Sequence, residues 1–249
     1  MNETVLITGD AGAIGSAVSS MILESGRSVL GLDLANRDLT DEDGHLTLLV
    51  DVSDENAVDE ALSELHRMPP LAHVVAVAGG ALAKEPTTQD DPRAVDVEMF
   101  RASLDRNLTS QFITLRAALP WLRSNAGAER SIVLTSSFNA ISPQGMPAYS
   151  AAKAGLIGLM NALVRPLGSE GIRINTVAPG TIRTPRTAAI WAHEPDHFDR
   201  LGSGAALGRI GNPGDVARVC RALVSDLTHV TGQVIVVDGG QTIASSPLS

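Results

Sequence analysis

Tyr149 and Lys153 stand four residues apart in the stretch Tyr149-Ser150-Ala151-Ala152-Lys153. Tyr149 is the only tyrosine in the chain, and Lys153 is one of two lysines, the other being Lys84. The residues that follow, from Ala151 to Met160, favour helix. On a helix, positions i and i+4 share a face, so the phenol and the ammonium project to the same side. A neighbouring cation favours phenolate and lowers a pKa that is ordinarily about 10. Such a phenol exchanges a proton with an alcohol or a carbonyl oxygen. The same pair also fits a tyrosine on a buried helix with a lysine at its rim, so the elements around it must decide.

Those elements alternate. Thr4–Thr8 is a short β-branched apolar run, read as a buried strand. The turn Gly9-Asp10-Ala11-Gly12-Ala13-Ile14-Gly15 follows, then a helical pattern through Leu23 that stops at Gly26. In a strand–turn–helix context such glycines permit close backbone approach, and the helix N-terminus offers N–H groups to a pyrophosphate. Ser28–Leu32 is a second strand ending at Asp33, 18 residues after Gly15. There a dinucleotide fold has the carboxylate that binds a ribose hydroxyl and repels a 2′-phosphate. Asp33 as an N-cap or turn residue is the alternative, and Arg37 keeps a phosphorylated cofactor in view. Further strands are expected at Leu46–Val50, His73–Val77, Ser131–Thr135, Arg173–Val177 and Val234–Val237. Helices are expected after Ser53 or Asp54, from Glu98 to Arg123, from Tyr149 to Gly168 and from Asn212 to Leu223. This repetition predicts one α/β domain, a doubly wound parallel sheet of about seven strands over residues 1–249. Lys84–Val97 reads as a polar surface loop. Asn107 falls inside a long helix, as a satisfied core amide or a functional kink. Thr181–Gly208 reads as irregular, with a substrate lid at about 184–208.

Composition excludes several functions. The formal net charge is −9, which argues against nucleic-acid and anionic-membrane partners. Cys220 is the only cysteine, so neither a disulfide framework nor a cysteine metal cluster is available. His193 and His197 are four apart, but no third ligand is evident, and no metal is expected. No basic stretch precedes an apolar run at the N-terminus, and nothing is long enough to span a membrane. The expectation is a cytoplasmic protein.

Taken together, Thr8-Gly9 with the glycine turn, Asp51-Val52, Ala78-Gly79, Asn107, Ser136 thirteen residues before Tyr149, Tyr149…Lys153, Pro179-Gly180 followed by Thr184, and Asp238-Gly239-Gly240 resemble the short-chain dehydrogenase/reductase family from Thr4 to about Gly240. The resemblance implies a Rossmann-like fold and roles for these residues. Tyr149 is the acid/base, and Lys153 lowers its pKa and holds the nicotinamide ribose. Ser136 bonds the reacting oxygen, and Asn107 keeps a water in a proton relay. Gly9, Gly12, Ile14 and Gly15 line the pyrophosphate. Asp33 takes the adenosine ribose, Asp51 and Val52 the adenine, and Ala78 and Gly79 pack the cofactor. Pro179 and Gly180 lead to Ile182 and Thr184, which face the carboxamide.

Two departures stand out. Ala13 occupies the middle glycine of the family's turn, and Ala76-Val77-Ala78-Gly79 replaces its Asn-Asn-Ala-Gly. Ser137 competes with Ser136. The implied activity is NAD(H)-dependent interconversion of a secondary alcohol and a ketone. The alternatives are an NADP(H) carbonyl reductase, for which Asp10, Ala11 and Ala13 supply no basic residue, and a non-catalytic cofactor-binding relative. The few charges of the lid (Arg186, Glu194, Asp196) suggest a moderately apolar substrate. The resemblance also implies a homotetramer, and Phe112, Leu115, Leu156, Leu159 and Met160 suggest helix faces that one sheet leaves uncovered.

Overall fold

The structure is a computed structural model that describes residues 3–35, 44–83, 85–87, 91–143, 145–194 and 196–244. Arg37, Lys84 and the end of the C-terminal tail lie outside the described residues. Seven parallel strands form one sheet in the order β3-β2-β1-β4-β5-β6-β7. They are β1 (Thr4–Thr8), β2 (Ser28–Asp33), β3 (His45–Leu49), β4 (Leu71–Ala76), β5 (Arg130–Thr135), β6 (Ile172–Pro179) and β7 (Val234–Val237).

Helices α1 (Ala13–Glu24), α2 (Glu55–Leu62), α3 (Val97–Leu104), α4 (Ser110–Ser124), α5 (Pro147–Ser169), α6 (Pro185–Ile190), α7 (His197–Ser203), α8 (Pro213–Ser225) and α9 (Gln241–Ala244) complete the described elements. Strand side chains alternate between faces, and both faces here are apolar. Leu6, Leu30, Val74, Ile132 and Ile174 point to the layer that contains Leu115, Leu156 and Met160. Val5, Ile7, Val29, Val75 and Val133 point to the layer that contains Val18, Ile22, Val216 and Leu223. A sheet covered on both sides explains why β1, β4, β5 and β6 are buried throughout.

Capping fixes several boundaries. Asp54 starts α2 by accepting from the N–H groups of Asn56 and Ala57. Asn212 starts α8 in a reciprocal pair with Asp215. The continuous helix expected from Glu98 to Arg123 is interrupted: residues Asp105–Thr109 form a π-helical turn between α3 and α4. Asn107 sits in it, and its side-chain amide takes the Ser103 carbonyl oxygen at 3.1 Å and the Gly80 carbonyl at 3.2 Å. Satisfied amide and kink are therefore one feature.

The segment read as irregular contains α6 and α7. Thr184 caps α6 in a reciprocal hydrogen-bonded pair with Thr187. Another difference concerns the apolar helix faces. Leu115, Leu156 and Met160 are buried within the single chain, because α4 and α5 turn them onto the sheet. Leu159 is half-buried, and Phe100 and Phe112 remain exposed. Among the described residues no helix is long and apolar enough to cross a membrane.

Candidate active site

The strand order reverses between β1 and β4, and such switch points open a crevice at the carboxyl ends of the strands. The loops leaving these two strands touch there. Gly9 has φ +73°, and a Cβ added to it would lie 2.9 Å from the Ala78 nitrogen. Thr8 ties the loops together, since its Oγ1 accepts from Ala78 N–H at 3.2 Å. Gly12 begins α1 without a side-chain cap, which leaves this helix N-terminus to other acceptors. Ala13 is the first residue of α1, where helical backbone suits alanine better than glycine. Ile14 packs against the face that holds Val18 and Ile22.

Asp33 ends β2 beside this turn. Its carboxylate accepts from Ala11 N–H at 2.9 Å and from Ala35 N–H at 3.0 Å. Asp51 accepts from both the N–H and the hydroxyl of Ser53, which together hold its carboxyl below the usual range. Val52 beside it is buried.

Helix α5 carries the phenol. Ala148, Ala152, Leu156 and Met160 recur every four residues and are buried, which anchors α5 on the sheet and fixes the direction of Tyr149. No side chain of Met146 caps the helix. Glu85 does so instead: its carboxylate accepts from Tyr149 N–H at 2.6 Å. Glu85 is buried although it belongs to the segment read as a surface loop, and Ser103 hydrogen-bonds its other oxygen.

Lys153 is 2% exposed. Its ammonium donates to the Thr135 carbonyl oxygen at 2.8 Å and lies 5.6 Å from the Tyr149 ring centre. Gly79 has φ +140°, and a Cβ there would lie 2.7 Å from the Asn107 amide oxygen and 3.4 Å from the Lys153 nitrogen. That amide oxygen accepts from Gly80 N–H at 2.7 Å. The structure therefore brings Asn107, Lys153, Tyr149 and the loop after β4 to one wall.

The electrostatics differ from the expectation of a lowered phenol. Burial raises the Tyr149 pKa, a hydrogen bond with Ser137 and the charge of Arg186 pull it back, and Glu85 raises it again. Burial lowers Lys153 to about 7. In the chain alone, burial is the largest influence on both groups and disfavours the charged form of each.

The serines also separate. Ser136 donates to the Lys153 carbonyl oxygen at 2.7 Å, and its N–H pairs with Val177. Ser137 is the serine whose hydroxyl faces the phenol, and it also accepts from Asn139 N–H. Ser136 thus ties α5 to the end of β5. Beyond β6, Gly180 leaves no room for a Cβ against Asp238. Ile182 is buried in the core, and its carbonyl accepts from the Thr187 hydroxyl; Thr184 caps α6 beyond it.

Asp238 is a structural residue here, accepting from Gly240 and Thr242 N–H. Asp10 was read only as a non-basic turn residue. It is fully buried, with His45 Nε2 at 3.0 Å, Thr47 donating at 2.6 Å and Ser19 donating as well. Burial opposes its charge, yet these bonds hold the carboxyl below the usual range. Histidines 193 and 197 both reach Glu194, and His197 stacks on Trp191. A cleft of about 530 Å³ beside β7 is lined by Leu207, Arg209 and Val236; none of the residues around Tyr149 borders it.

Residues 9–242 match the family model described as enoyl-(acyl carrier protein) reductase. The chain belongs to the short-chain dehydrogenase/reductase family. An oxidoreductase of Schizosaccharomyces pombe is 35% identical over 248 residues, covering 98% of this chain and 92% of that one. A cis-4-hydroxycyclohexanecarboxylate dehydrogenase of Sinomonas cyclohexanicum is 33% identical, covering 96% of each chain. A short-chain dehydrogenase/reductase of Burkholderia thailandensis superposes with a TM-score of 0.86 at 33% identity, covering 97% of this chain and 93% of that one.

As a short-chain dehydrogenase/reductase, the protein is an oxidoreductase acting on CH–OH groups with an NAD(P) nucleotide. The crevice fits such a nucleotide: the backbone at Gly9 and Ala78 leaves no room for a side chain, α1 begins without a side-chain cap, and the Asp33 carboxylate stands beside the turn.

Proposed function

We propose that the protein is an NAD(H)-dependent dehydrogenase that interconverts a secondary alcohol and a ketone. The observation that carries the reading is the convergence of Tyr149, Ser137, Lys153 and Asn107 on the loop after β4. A bound nicotinamide supplies the hydride acceptor or donor. The chain's own groups handle the proton. Tyr149 takes the hydroxyl proton of the alcohol, or returns it to the carbonyl oxygen. Ser137, which faces the phenol, orients that oxygen. Lys153, 5.6 Å from the centre of the phenol ring and beside Gly79, holds a ribose hydroxyl there. Asn107 holds the widened helical turn open beside it.

Gly9, Gly12, Ile14 and Gly15 line the pyrophosphate. Asp51 and Val52 border the adenine, Ala78 and Gly79 the nicotinamide ribose, and the segment Pro179–Thr184 the carboxamide. Asp33 supports NAD over NADP, because its carboxylate already sits against the turn and repels a 2′-phosphate. The segment 184–208 serves as the substrate lid, and the working assembly is a homotetramer in the cytoplasm.

The test is reduced-nicotinamide absorbance with NAD and NADP over a panel of secondary alcohols, hydroxycyclohexanecarboxylates included because one relative is named for such a substrate. Tyr149→Phe should keep cofactor binding and lower turnover by about 10²- to 10⁴-fold. Near-normal turnover in that variant would refute the acid/base assignment.

A further inference from the structure

Arg186 has no part in the proton chemistry above. It lies on α6, at the start of the segment read as a lid, and its side chain turns back over the loop after β4. One guanidinium nitrogen donates to the Ala81 carbonyl oxygen. A Cβ added to Gly80 would lie 3.0 Å from the guanidinium carbon. The neighbouring residue on that loop is Gly79, which borders Asn107 and Lys153. The guanidinium therefore lies along the same wall as the phenol, and the two groups feel each other's charge.

An arginine offers five N–H donors in a planar fork, and only the bond to Ala81 is made by Arg186 among the described residues. Among the described residues the charges that act on it are Arg106 and the phenol; the Glu85 carboxylate acts on the phenol and is held by Tyr149 N–H and Ser103, and Asp51 acts on Arg106. The contrast with other arginines is clear. Arg123 pairs with Glu170, Arg209 and Arg218 with Asp215, and Arg200 with Glu194. Glu194, the acid nearest in sequence on the lid, faces His193, His197 and Arg200. In a chain of net charge −9, a guanidinium that makes no ion pair among the described residues makes a local site for an anion at this wall.

We propose that Arg186 anchors a carboxylate of the substrate, so that this enzyme's alcohols are hydroxy acids. The inference rests on the dehydrogenase reading of the same site and replaces the moderately apolar substrate suggested by lid composition. The planar fork matches a carboxylate through two parallel hydrogen bonds. Arg186 is a binding residue here, and the reacting carbon lies between it and the phenol. Anionic oxygens of a cofactor pyrophosphate are the rival occupant of the same fork.

Calorimetric titrations separate these possibilities without turnover. The probes are cyclohexanecarboxylate and the neutral cyclohexanecarboxamide, titrated into the protein with and without saturating NADH. NADH binding alone tests the dehydrogenase reading. The carboxylate-against-amide ratio tests the anchor, and it is measured on the free protein even if NADH fails to bind. The wild type should prefer the carboxylate by about tenfold or more, the scale of a charge-assisted hydrogen bond. Arg186→Leu should abolish that preference and leave amide and NADH affinity within about twofold of wild type. Arg186→Lys should retain part of it, since it keeps the charge and loses the fork. Equal affinity for both probes in the wild type, or no binding of either, would overturn the proposal. So would an Arg186→Leu protein that loses NADH affinity while keeping the carboxylate preference, which would give the fork to the pyrophosphate.

Discussion

Replacing Lys153 with methionine should make the cofactor-free protein's stability less dependent on pH. Lys153 is 2% exposed, and burial lowers its pKa from 10.5 to about 7. Between those values the unfolded chain binds a proton that the folded chain does not. Stability then rises with pH through that window, and the contribution is lost as pH falls through about 7. At about 1.4 kcal/mol per pH unit, the full charging cost at acidic pH is bounded at about 5 kcal/mol. Between pH 9 and pH 7 the wild type should lose about 2 kcal/mol from this group alone. Methionine has a similar length and no titration. It forfeits the bond to the Thr135 carbonyl, an offset of about 1 kcal/mol that does not vary with pH. Urea denaturation of both proteins at pH 7 and pH 9, without cofactor, measures the effect. The variant's stability relative to wild type should be about 2 kcal/mol better at pH 7 than at pH 9. The same difference at both pH values would refute the reasoning, because it would mean that Lys153 titrates as an ordinary lysine despite its burial.

Three further outcomes are expected. Ser137→Ala should lower kcat by about 10-fold or more with unchanged cofactor affinity, whereas Ser136→Ala should act mainly on melting temperature, losing a buried bond worth about 1 kcal/mol; equal kinetic effects would undo the separation of the two serines. Asp33→Ala should narrow the ratio of NADP to NAD dissociation constants, chiefly by weakening NAD; an unchanged ratio means that Asp33 only supports the turn. Light scattering coupled to gel filtration should report a tetramer, with exposed Phe100, Phe112, Leu207 and Val236 as the surfaces to be covered; a mass near 25.9 kDa would refute it.

Local sequence determined much of this protein. A parallel strand buried on both faces must be a short apolar run, so β1 was legible to the residue; the β-branched run of β7 was legible too, although its side chains are only partly buried. The helical repeat alone put Tyr149 and Lys153 on one face. Glycines between a strand and a helix marked the turn after β1, because only a residue without a Cβ fits where Gly9 meets Ala78.

What the tertiary structure decided depends on contacts between distant residues. Counting back from Tyr149 could not separate Ser136 from Ser137, because strand side chains alternate and the end of β5 fixes which hydroxyl faces the phenol. Glu85 looked like a loop acid, yet it caps a helix that begins more than sixty residues later. Asp10 looked like part of a nucleotide turn, yet β3 draws its carboxylate inward through His45 and Thr47. The phenol and ammonium carried the expected geometry without the expected pKa values, because spacing sets which groups meet and burial sets what their charges cost. Arg186 was one charge among few in a lid of mixed composition. Only folding could put it on the wall beside Tyr149 and leave it without an acidic partner among the described residues.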